Sequence, residues 1–177
     1  MMIYENLKNI TVTSLDELKL ERDSFSCSVK ALDDYFHHYA SQDVKKGLAK
    51  CYVLIDNEQS KIIGYYTLSS LSIPLNEIPK ERLKVSIPYN IIPAVLIGRL
   101  AIDDNFKKQG YGNFLLADAI HRINKNGVGS AFLIVEAKDD NAASFYTHFG
   151  FIEFTELDTE YRKLFYPLAN IIELTKK

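Results

Sequence analysis

The sequence has 177 residues, of which 47% are hydrophobic and 25% are charged, and its formal net charge at pH 7 is −2. These values predict one globular domain over residues 1–177 and argue against a disordered chain. No apolar run approaches the ~20 residues that cross a bilayer, and residues 1–12 lack the pattern of a signal peptide. The sequence therefore predicts a cytoplasmic protein with no membrane partner.

Charge is unevenly distributed along the chain. Residues 45–110, the basic middle segment, carry 10 basic and 6 acidic side chains, whereas both flanking segments are acidic overall. This segment is where an anionic ligand or partner is expected to bind. The alternative is that its lysines and arginines belong to an ordinary mixed surface.

The first half of the chain predicts one helix and a hairpin. Helical spacing of apolar residues occurs in SVKALDDYFHHYASQD, with Ser28 as the N-cap. β-Branched and aromatic residues predict strands over 51–56 and 61–73, joined by the polar sequence NEQS. The proline-bearing sequence IPLNEIPKERLKVSIPYNIIP is expected to be a loop with one helical turn around residues 80–83.

Strands and helices alternate in the second half. A buried strand is predicted over 94–103, where Gly98 indicates a bulge or a close backbone approach. A helix over 112–124 follows, with Leu116, Ile120 and Ile123 on one face. The remaining elements are a strand 131–137, a helix 140–149 and strands 150–154 and 162–167. This alternation predicts an α/β or α+β domain around a mixed sheet.

Cysteines and histidines provide no metal-binding or nucleophile pattern. The cysteines lack a CxxC spacing, so reduced and partly buried thiols are expected, rather than a disulfide or a nucleophile. The histidines have no spacing typical of metal ligands, and no metal site is predicted. The residues concerned are Cys27, Cys51, His37, His38, His121 and His148.

A glycine-containing turn stands between the predicted strand 94–103 and the helix that follows it. Gly110 and Gly112 permit positive φ angles and leave room for a ligand, while Lys107 and Lys108 add positive charge. The free N–H groups and the dipole of a helix N-terminus favour phosphate. The turn is therefore interpreted as a phosphate site, with a simple tight turn as the alternative.

Two common nucleotide motifs do not account for this turn. The sequence GxxxxGK(S/T) is absent, and Leu115 occupies the position of the third glycine in GxGxxG.

The turn and its surroundings resemble a known family. LAIDDNFKKQGYGNFLLADAI resembles the pyrophosphate loop of the GNAT N-acetyltransferases, Q/R-x-x-G-x-G/A, with Lys107 in the first position, and DDNAASFYTHFGF resembles the second signature of that family. Further segments resemble the acetyltransferase toxins of bacterial toxin–antitoxin pairs: CSVKALDDYFHHYASQDVKKGLAKCYVLID, IIGYYTLSS, IGRLAID and YPLANI. The resemblance covers roughly residues 25–170.

The resemblance implies a fold and a co-substrate. The fold is a mixed, mostly antiparallel sheet of six or seven strands with splayed central strands and about four helices. The co-substrate is acetyl-CoA, whose pyrophosphate is held by loop amides and whose pantetheine pairs with the preceding strand. The implied cofactor-binding residues are Leu100, Ala101, Ile102, Lys107, Lys108, Gln109, Gly110, Tyr111, Gly112, Asn113 and Asn141.

The resemblance also places Tyr146 at the position of a general acid that protonates the departing thiolate. The alternative is a core aromatic residue, because Phe145 and Phe149 flank it. Glu136 is a candidate base, although a solvated strand end is the simpler interpretation. No strong base stands out.

The lack of an obvious strong base favours one kind of acceptor. At pH 7 an α-amine of pKa ~7.8 is roughly 14% neutral, but a lysine of pKa ~10.4 is only ~0.04% neutral. This difference favours the α-amine of an aminoacyl-tRNA, which the toxin resemblance also implies. Arg99, Lys45 and Lys46 are candidate substrate contacts, with an ion pair at a sheet edge as the alternative for Arg99.

Two other functions stay open: an N-acetyltransferase for a small amine, peptide or protein, and a non-catalytic CoA-binding module. The toxin resemblance implies further partners, namely a ribbon-helix-helix antitoxin and a second copy in a homodimer.

Overall fold

In a computed structural model the described residues are 9–154 and 161–172. Seven strands occur among them: β1 Ile10–Ser14, β2 Lys50–Asp56, β3 Lys61–Pro74, β4 Ile91–Ile102, β5 Phe132–Ala137, β6 Ile152–Glu153 and β7 Arg162–Pro167. They form one mixed sheet in the order β1-β2-β3-β4-β5-β7-β6. The β1–β2, β2–β3, β5–β7 and β6–β7 pairs are antiparallel, and the β4–β5 pair is parallel.

Helical residues form three continuous stretches within the described part of the chain. The first runs from α1 (Lys30–Asp34) through a π-helical turn (Tyr35–Tyr39) into α2 (Ala40–Lys45). The others are α3 (Tyr111–Lys125) and α4 (Asp140–Phe149). Short 3-10 turns occupy Leu15–Glu17, Leu75–Glu77, Lys80–Arg82 and Asp104–Phe106. The predicted α/β class and sheet are confirmed, with three helical stretches close to the expected four.

The chain divides into two compact units. The first contains residues 1–69 and 98–119, and the second contains residues 70–97 and 120–177. The prediction of a single domain over 1–177 stays a prediction. No helix of the described residues is long and apolar enough to cross a membrane.

Each unit has its own aromatic core. In the first unit, the rings of Phe36 and Tyr65 stack with centroids 4.3 Å apart, and Phe25 meets both rings edge-on. In the second unit, Phe165 lies 5.3 Å from Phe132 and 4.9 Å from Phe154 between ring centroids. All six side chains are buried. Burial of these rings and of the aliphatic side chains packed with them stabilises each unit.

Most predicted elements are confirmed, and one cap is wrong. Ser28 is not the N-cap of the first helix, because Val29 holds that position and makes no side-chain cap bond. Ser28 instead has a φ of 61°. The backbone N–H of Cys27 donates to the carboxylate of Asp33, a residue of α1, at 2.9 Å. This hydrogen bond ties the segment before the helix to the helix itself.

Two glycines in strands mark close approaches. At Gly98, where the sequence predicted a bulge or a close backbone approach, an added Cβ would instead lie 3.3 Å from a side-chain atom, Thr67 Oγ1. At Gly64, in β3, an added Cβ would lie 2.6 Å from the Ala101 carbonyl oxygen and 2.7 Å from Ile102 Cδ1. The absence of a side chain at Gly64 therefore lets β3 lie against the last residues of β4.

We expect Gly64→Ala to destabilise the protein by roughly 1–3 kcal/mol, because the new methyl group overlaps a backbone carbonyl that cannot move independently. The measurement is the urea midpoint of unfolding. Gly129→Ala is the matched control, since nothing lies within 4 Å of an added Cβ there. Equal midpoints for the two variants would contradict the close approach.

Candidate functional site

The predicted phosphate turn follows β4 directly and is fixed by one carboxylate. Asp103 is only 5% exposed and is the N-cap of the 3-10 turn that follows it. Its Oδ1 accepts hydrogen bonds from the backbone N–H of Asn105 at 3.0 Å and from the Asn105 side chain at 2.9 Å. The Phe106 ring is buried beneath the turn. The turn is thus anchored on the protein side while its later residues are exposed.

The backbone of the turn is left-handed at two positions. Lys108 has a φ of 60° and Gly110 has a φ of 85°. Gly112 does not have a positive φ, because it lies in the first turn of α3. Of the two glycines that permit a positive φ, only Gly110 adopts one. What Gly112 contributes is the lack of a side chain beside the first amides of the helix.

The start of α3 presents amide groups to a ligand. Phe114 N donates to the Gly110 carbonyl at 3.2 Å, which is the first bond of the helix. Residues 111–113 precede that bond, so their N–H groups have no acceptor within the helix. These amides and the positive end of the helix dipole suit a phosphate or pyrophosphate.

The cations of the turn are arranged differently from one another. Lys107 Nζ lies 2.5 Å from Asp104 Oδ1 and donates to the Cys27 carbonyl at 2.6 Å, so its charge is already paired. Lys108 is exposed. The Gln109 side chain donates to the Asn105 carbonyl at 3.2 Å. Of the two lysines, Lys108 is therefore the better placed for an incoming anion, and Lys107 holds the turn itself.

The predicted pantetheine strand lies at the end of β4. Ala101 is buried, while Leu100 and Ile102 are half-buried. Asp103 N donates to the Ile63 carbonyl at 2.9 Å, which joins the end of β4 to β3. Gly64 permits this approach, and the sequence analysis missed it. The signal was present, because a glycine inside a strand indicates close backbone contact.

Tyr146 lies in α4, within the second unit. Its ring centroid is 5.2 Å from that of Phe145 and 5.3 Å from that of Phe151. Burial raises the pKa of its phenol to about 12, with no charged or hydrogen-bonding group contributing. The phenol therefore keeps its proton throughout the physiological pH range.

The other candidates of the second unit are surface residues. Asn141 is exposed in the first turn of α4, whose N-cap Asp139 accepts from Ala142 N at 2.7 Å. Glu136 is exposed on β5 opposite Lys163 in the β7 ladder. This placement favours a solvated strand end over a general base for Glu136.

Arg99 stacks on an aromatic ring of the first unit. Its guanidinium carbon lies 3.5 Å from the centroid of Tyr35, whose hydroxyl donates to Asp43 at 3.0 Å. No carboxylate pairs with Arg99 among the described residues, so the expected ion pair is replaced by a cation–π contact. Lys45 and Lys46 lie at the exposed end of α2.

Both cysteines are free and buried, as predicted. Burial is the main cause that raises the pKa of Cys27 to about 11 and that of Cys51 to about 12. Thiols this weakly acidic are poor nucleophiles at neutral pH. No cluster of potential metal ligands occurs among residues 9–154 and 161–172.

The predicted site residues fall in both units. The first unit contains the turn, the end of β4, Arg99, Lys45 and Lys46. The second contains Asn141, Tyr146 and Glu136.

Comparisons with known proteins agree on one kind of enzyme. Residues 85–164 match the model of the acetyltransferase (GNAT) domain. A tRNA-acetylating toxin of Mycobacterium tuberculosis is 33% identical over 130 residues, which are 72% of this chain and 76% of the relative.

Two solved structures of the protein AtaT are similar over most of the chain. AtaT complexed with acetyl-methionyl-tRNAfMet has a TM-score of 0.78 and 30% identity, covering 89% of this chain and 94% of that one. A tyrosine-to-phenylalanine variant of AtaT, bound to acetyl-CoA and to the C-terminus of the antitoxin AtaR, has a TM-score of 0.74 and 27% identity. That match covers 91% of this chain and 94% of the AtaT chain.

Gly112→Val tests whether the turn receives a pyrophosphate. The variant adds a branched side chain beside the first amides of α3, so we expect acetyl-CoA affinity to fall by about tenfold or more while the fold is kept. Isothermal titration calorimetry measures the affinity. His121→Val, on an exposed part of the same helix, is the matched control. Unchanged affinity in Gly112→Val would remove the turn from the binding site.

Proposed function

This chain belongs to the GNAT acetyltransferases and, among them, to the tRNA-acetylating toxins, and on that premise we propose that it acetylates the α-amine of aminoacyl-tRNA. It is an N-acetyltransferase that uses acetyl-CoA. The observation that carries the proposed acceptor is the similarity to a tRNA-acetylating toxin and to AtaT complexed with an acetylated aminoacyl-tRNA.

The first unit supplies a site that suits the pyrophosphate of acetyl-CoA. The amides of Tyr111, Gly112 and Asn113 point out of the first turn of α3, and Lys108 adds an exposed cation beside them. The backbone of residues 100–102 at the end of β4 is assigned to the pantetheine arm. Acetyl-CoA brings the thioester, and the chain's own groups orient it.

Tyr146 is assigned to the protonation of the departing thiolate. Its phenol is protonated at neutral pH because burial raises its pKa to about 12. That value lies above the ~8.5 of a thiol in water, which would make proton transfer unfavourable there. Burial also raises the pKa of a thiol, however, as it does for Cys27 in this protein. A thiolate leaving into equally dry surroundings is therefore a base that the phenol can protonate.

The acceptor follows from the lack of a strong base. Glu136 is exposed, and no other carboxylate has emerged as a candidate among the described residues. An α-amine is roughly 350 times more often neutral than a lysine at pH 7, which is worth ~3.5 kcal/mol of barrier. The enzyme is therefore suited to the amino group of an aminoacyl ester rather than to a lysine side chain.

Exposed cations are assigned to the tRNA backbone. In the first unit these are Lys45, Lys46 and Lys50, with Arg99 held on the Tyr35 ring. In the second unit they are Lys80 and Lys84, the latter hydrogen-bonded to Asn170 at 3.0 Å, and the half-buried Arg82 is assigned with them. Such cations bind phosphates without reading sequence.

The same premise suggests partners and a compartment. AtaT is seen with the C-terminus of its antitoxin AtaR, and a related antitoxin, of ribbon-helix-helix type, is proposed here. A homodimer is also proposed. An enzyme acting on charged tRNA would work in the cytoplasm, where its substrate is found.

Tyr146→Phe should separate binding from chemistry. The ring and its packing remain, so acetyl-CoA affinity should be unchanged, while acetyl transfer should fall by about 10²-fold or more. The wild-type rate should rise with pH through the amine pKa near ~7.8, because Tyr146 stays protonated well above it. Stopped-flow or radiolabel assays from pH 6 to 9 provide the measurement. Near-normal turnover in the variant would make Tyr146 a core residue only.

The acceptor is tested with labelled acetyl-CoA and bulk aminoacyl-tRNA. Label should appear on the α-amine, and tRNA affinity should fall with a log–log salt slope of about −0.7 to −0.9 per phosphate contacted. Lys45→Ala/Lys46→Ala should flatten that slope, whereas the control Lys61→Ala/Lys125→Ala, at exposed positions elsewhere, should not. Efficient acetylation of a polyamine or lysine peptide with no label on tRNA would refute the proposed acceptor and favour a small-amine enzyme.

A further inference from the structure

Three consecutive residues, Ser26, Cys27 and Ser28, are held from two distant parts of the first unit. We call them the latch segment. The contacts come from Asp33 on α1 and from residues 103–107, which open the phosphate turn. The latch segment is therefore a bridge between the start of the first helix and the site proposed for acetyl-CoA.

On the turn side, every contact comes from the residues that shape the turn. Asp103 Oδ2 accepts from Ser26 N at 3.1 Å, and Asp104 N donates to the Ser26 carbonyl at 2.9 Å. Lys107 Nζ donates to the Cys27 carbonyl, and the Ser28 hydroxyl bonds to the Asp104 carboxylate. Asp103 thus uses one oxygen for the turn itself and the other for the latch segment.

On the helix side, one carboxylate holds the same residues. Asp33 Oδ1 accepts from Cys27 N at 2.9 Å, and its Oδ2 accepts from the Ser26 hydroxyl at 3.1 Å. Burial by itself would raise the pKa of Asp33, but the hydrogen bonds from Cys27 and Ser26 outweigh it and lower the pKa. The carboxylate is consequently ionised at neutral pH and bound to the latch segment.

Backbone strain is found on both sides of the bridge. Ser28 has a φ of 61° and Lys108 has a φ of 60°, both in the left-handed region that side chains avoid. Such conformations persist only where surrounding contacts fix them. Ser28 is bonded to Asp104, and the two residues before it are bonded to Asp33. The turn that precedes Lys108 is bonded within itself through Asp103.

We propose that Asp33 and Asp103 are positioning residues for the acetyl-CoA turn, acting together through the latch segment. Asp103 fixes the conformation of the turn through bonds within it. Asp33 helps to fix it from α1, although Asp33 lies 70 residues earlier in the chain than Asp103 and outside the turn. The inference rests on the proposed function, because it assigns the turn to acetyl-CoA. Within the described part of the chain, the hydrogen-bond partners of the two carboxylates are Ser26, Cys27 and Asn105, so both are assigned to positioning and not to contact with acetyl-CoA.

The test compares Asp33→Asn and Asp103→Asn with wild type. In Asp103→Asn the amide nitrogen faces an N–H of either Asn105 or Ser26, which loses its acceptor. In Asp33→Asn the negative charge that strengthens the hydrogen bonds from Cys27 and Ser26 is removed. We expect the KM and Kd for acetyl-CoA to rise about tenfold. The kcat at saturating acetyl-CoA and the KM for aminoacyl-tRNA should stay within about twofold, a split that general destabilisation would not produce.

A double variant tests whether the two residues act through one segment. If they do, Asp33→Asn combined with Asp103→Asn should weaken acetyl-CoA binding by less than the product of the single effects. Asp34→Asn is the matched control, because the Asp34 carboxylate, next to Asp33, pairs with the exposed Lys30 rather than with the latch segment. That variant should bind acetyl-CoA as wild type does.

If Asp103→Asn does not fold, Asp33→Asn alone tests the inference, because Asp33 is only half-buried and its substitution should disturb the fold less. Wild-type acetyl-CoA affinity in Asp33→Asn, or equal losses for acetyl-CoA and tRNA, would overturn the inference. If Gly112→Val loses acetyl-CoA and Asp33→Asn does not, the inference fails while the proposed function stands. If the wild type itself binds no acetyl-CoA, both fail.

Discussion

The buried carboxylate of Asp103 is the interaction on which the candidate site depends. A nearly inaccessible ionisable group is costly unless its oxygens are bound, and both oxygens of Asp103 accept hydrogen bonds. One binds the turn and the other binds the latch segment, so the turn cannot change shape without leaving an acceptor unpaired. The amides at the start of α3 are thereby held in place before any ligand arrives, which reduces the ordering cost of binding.

Backbone groups, more than side-chain charges, suit this turn to the anion proposed for it. Lys107 forms an ion pair with Asp104 and donates to the Cys27 carbonyl, so its ammonium group already has partners within the protein. The amides of residues 111–113 and the helix dipole have no such partner within α3. Lys107 stands where the family pattern has Gln or Arg, and its contacts with Asp104 and the Cys27 carbonyl give it a place within the turn.

Burial determines the acid–base properties of the side chains assigned to chemistry. The same desolvation that makes Cys27 and Cys51 unreactive keeps the Tyr146 phenol protonated. A phenol that stays protonated can donate a proton but cannot accept one from the amine. The fraction of neutral amine is therefore set by the amine's own pKa. The chemistry proposed here therefore needs a substrate that is already partly neutral at pH 7, as an aminoacyl ester is.

The sequence by itself determined the α/β class, the hairpin, α3 and α4, the glycine-containing turn and the family, because these depend on local spacing of apolar residues and on short motifs. The site roles of individual residues stay predictions. Only the tertiary structure decided that Asp33 and Asp103 meet at Ser26–Ser28, that Gly64 faces the Ala101 carbonyl, and that Arg99 stacks on Tyr35. It also replaced the expected Ser28 cap with a left-handed residue. Each of these features joins residues that are far apart in the sequence, or depends on such a contact, so no local pattern predicts it. Burial and long-range hydrogen bonding arise only when the chain packs.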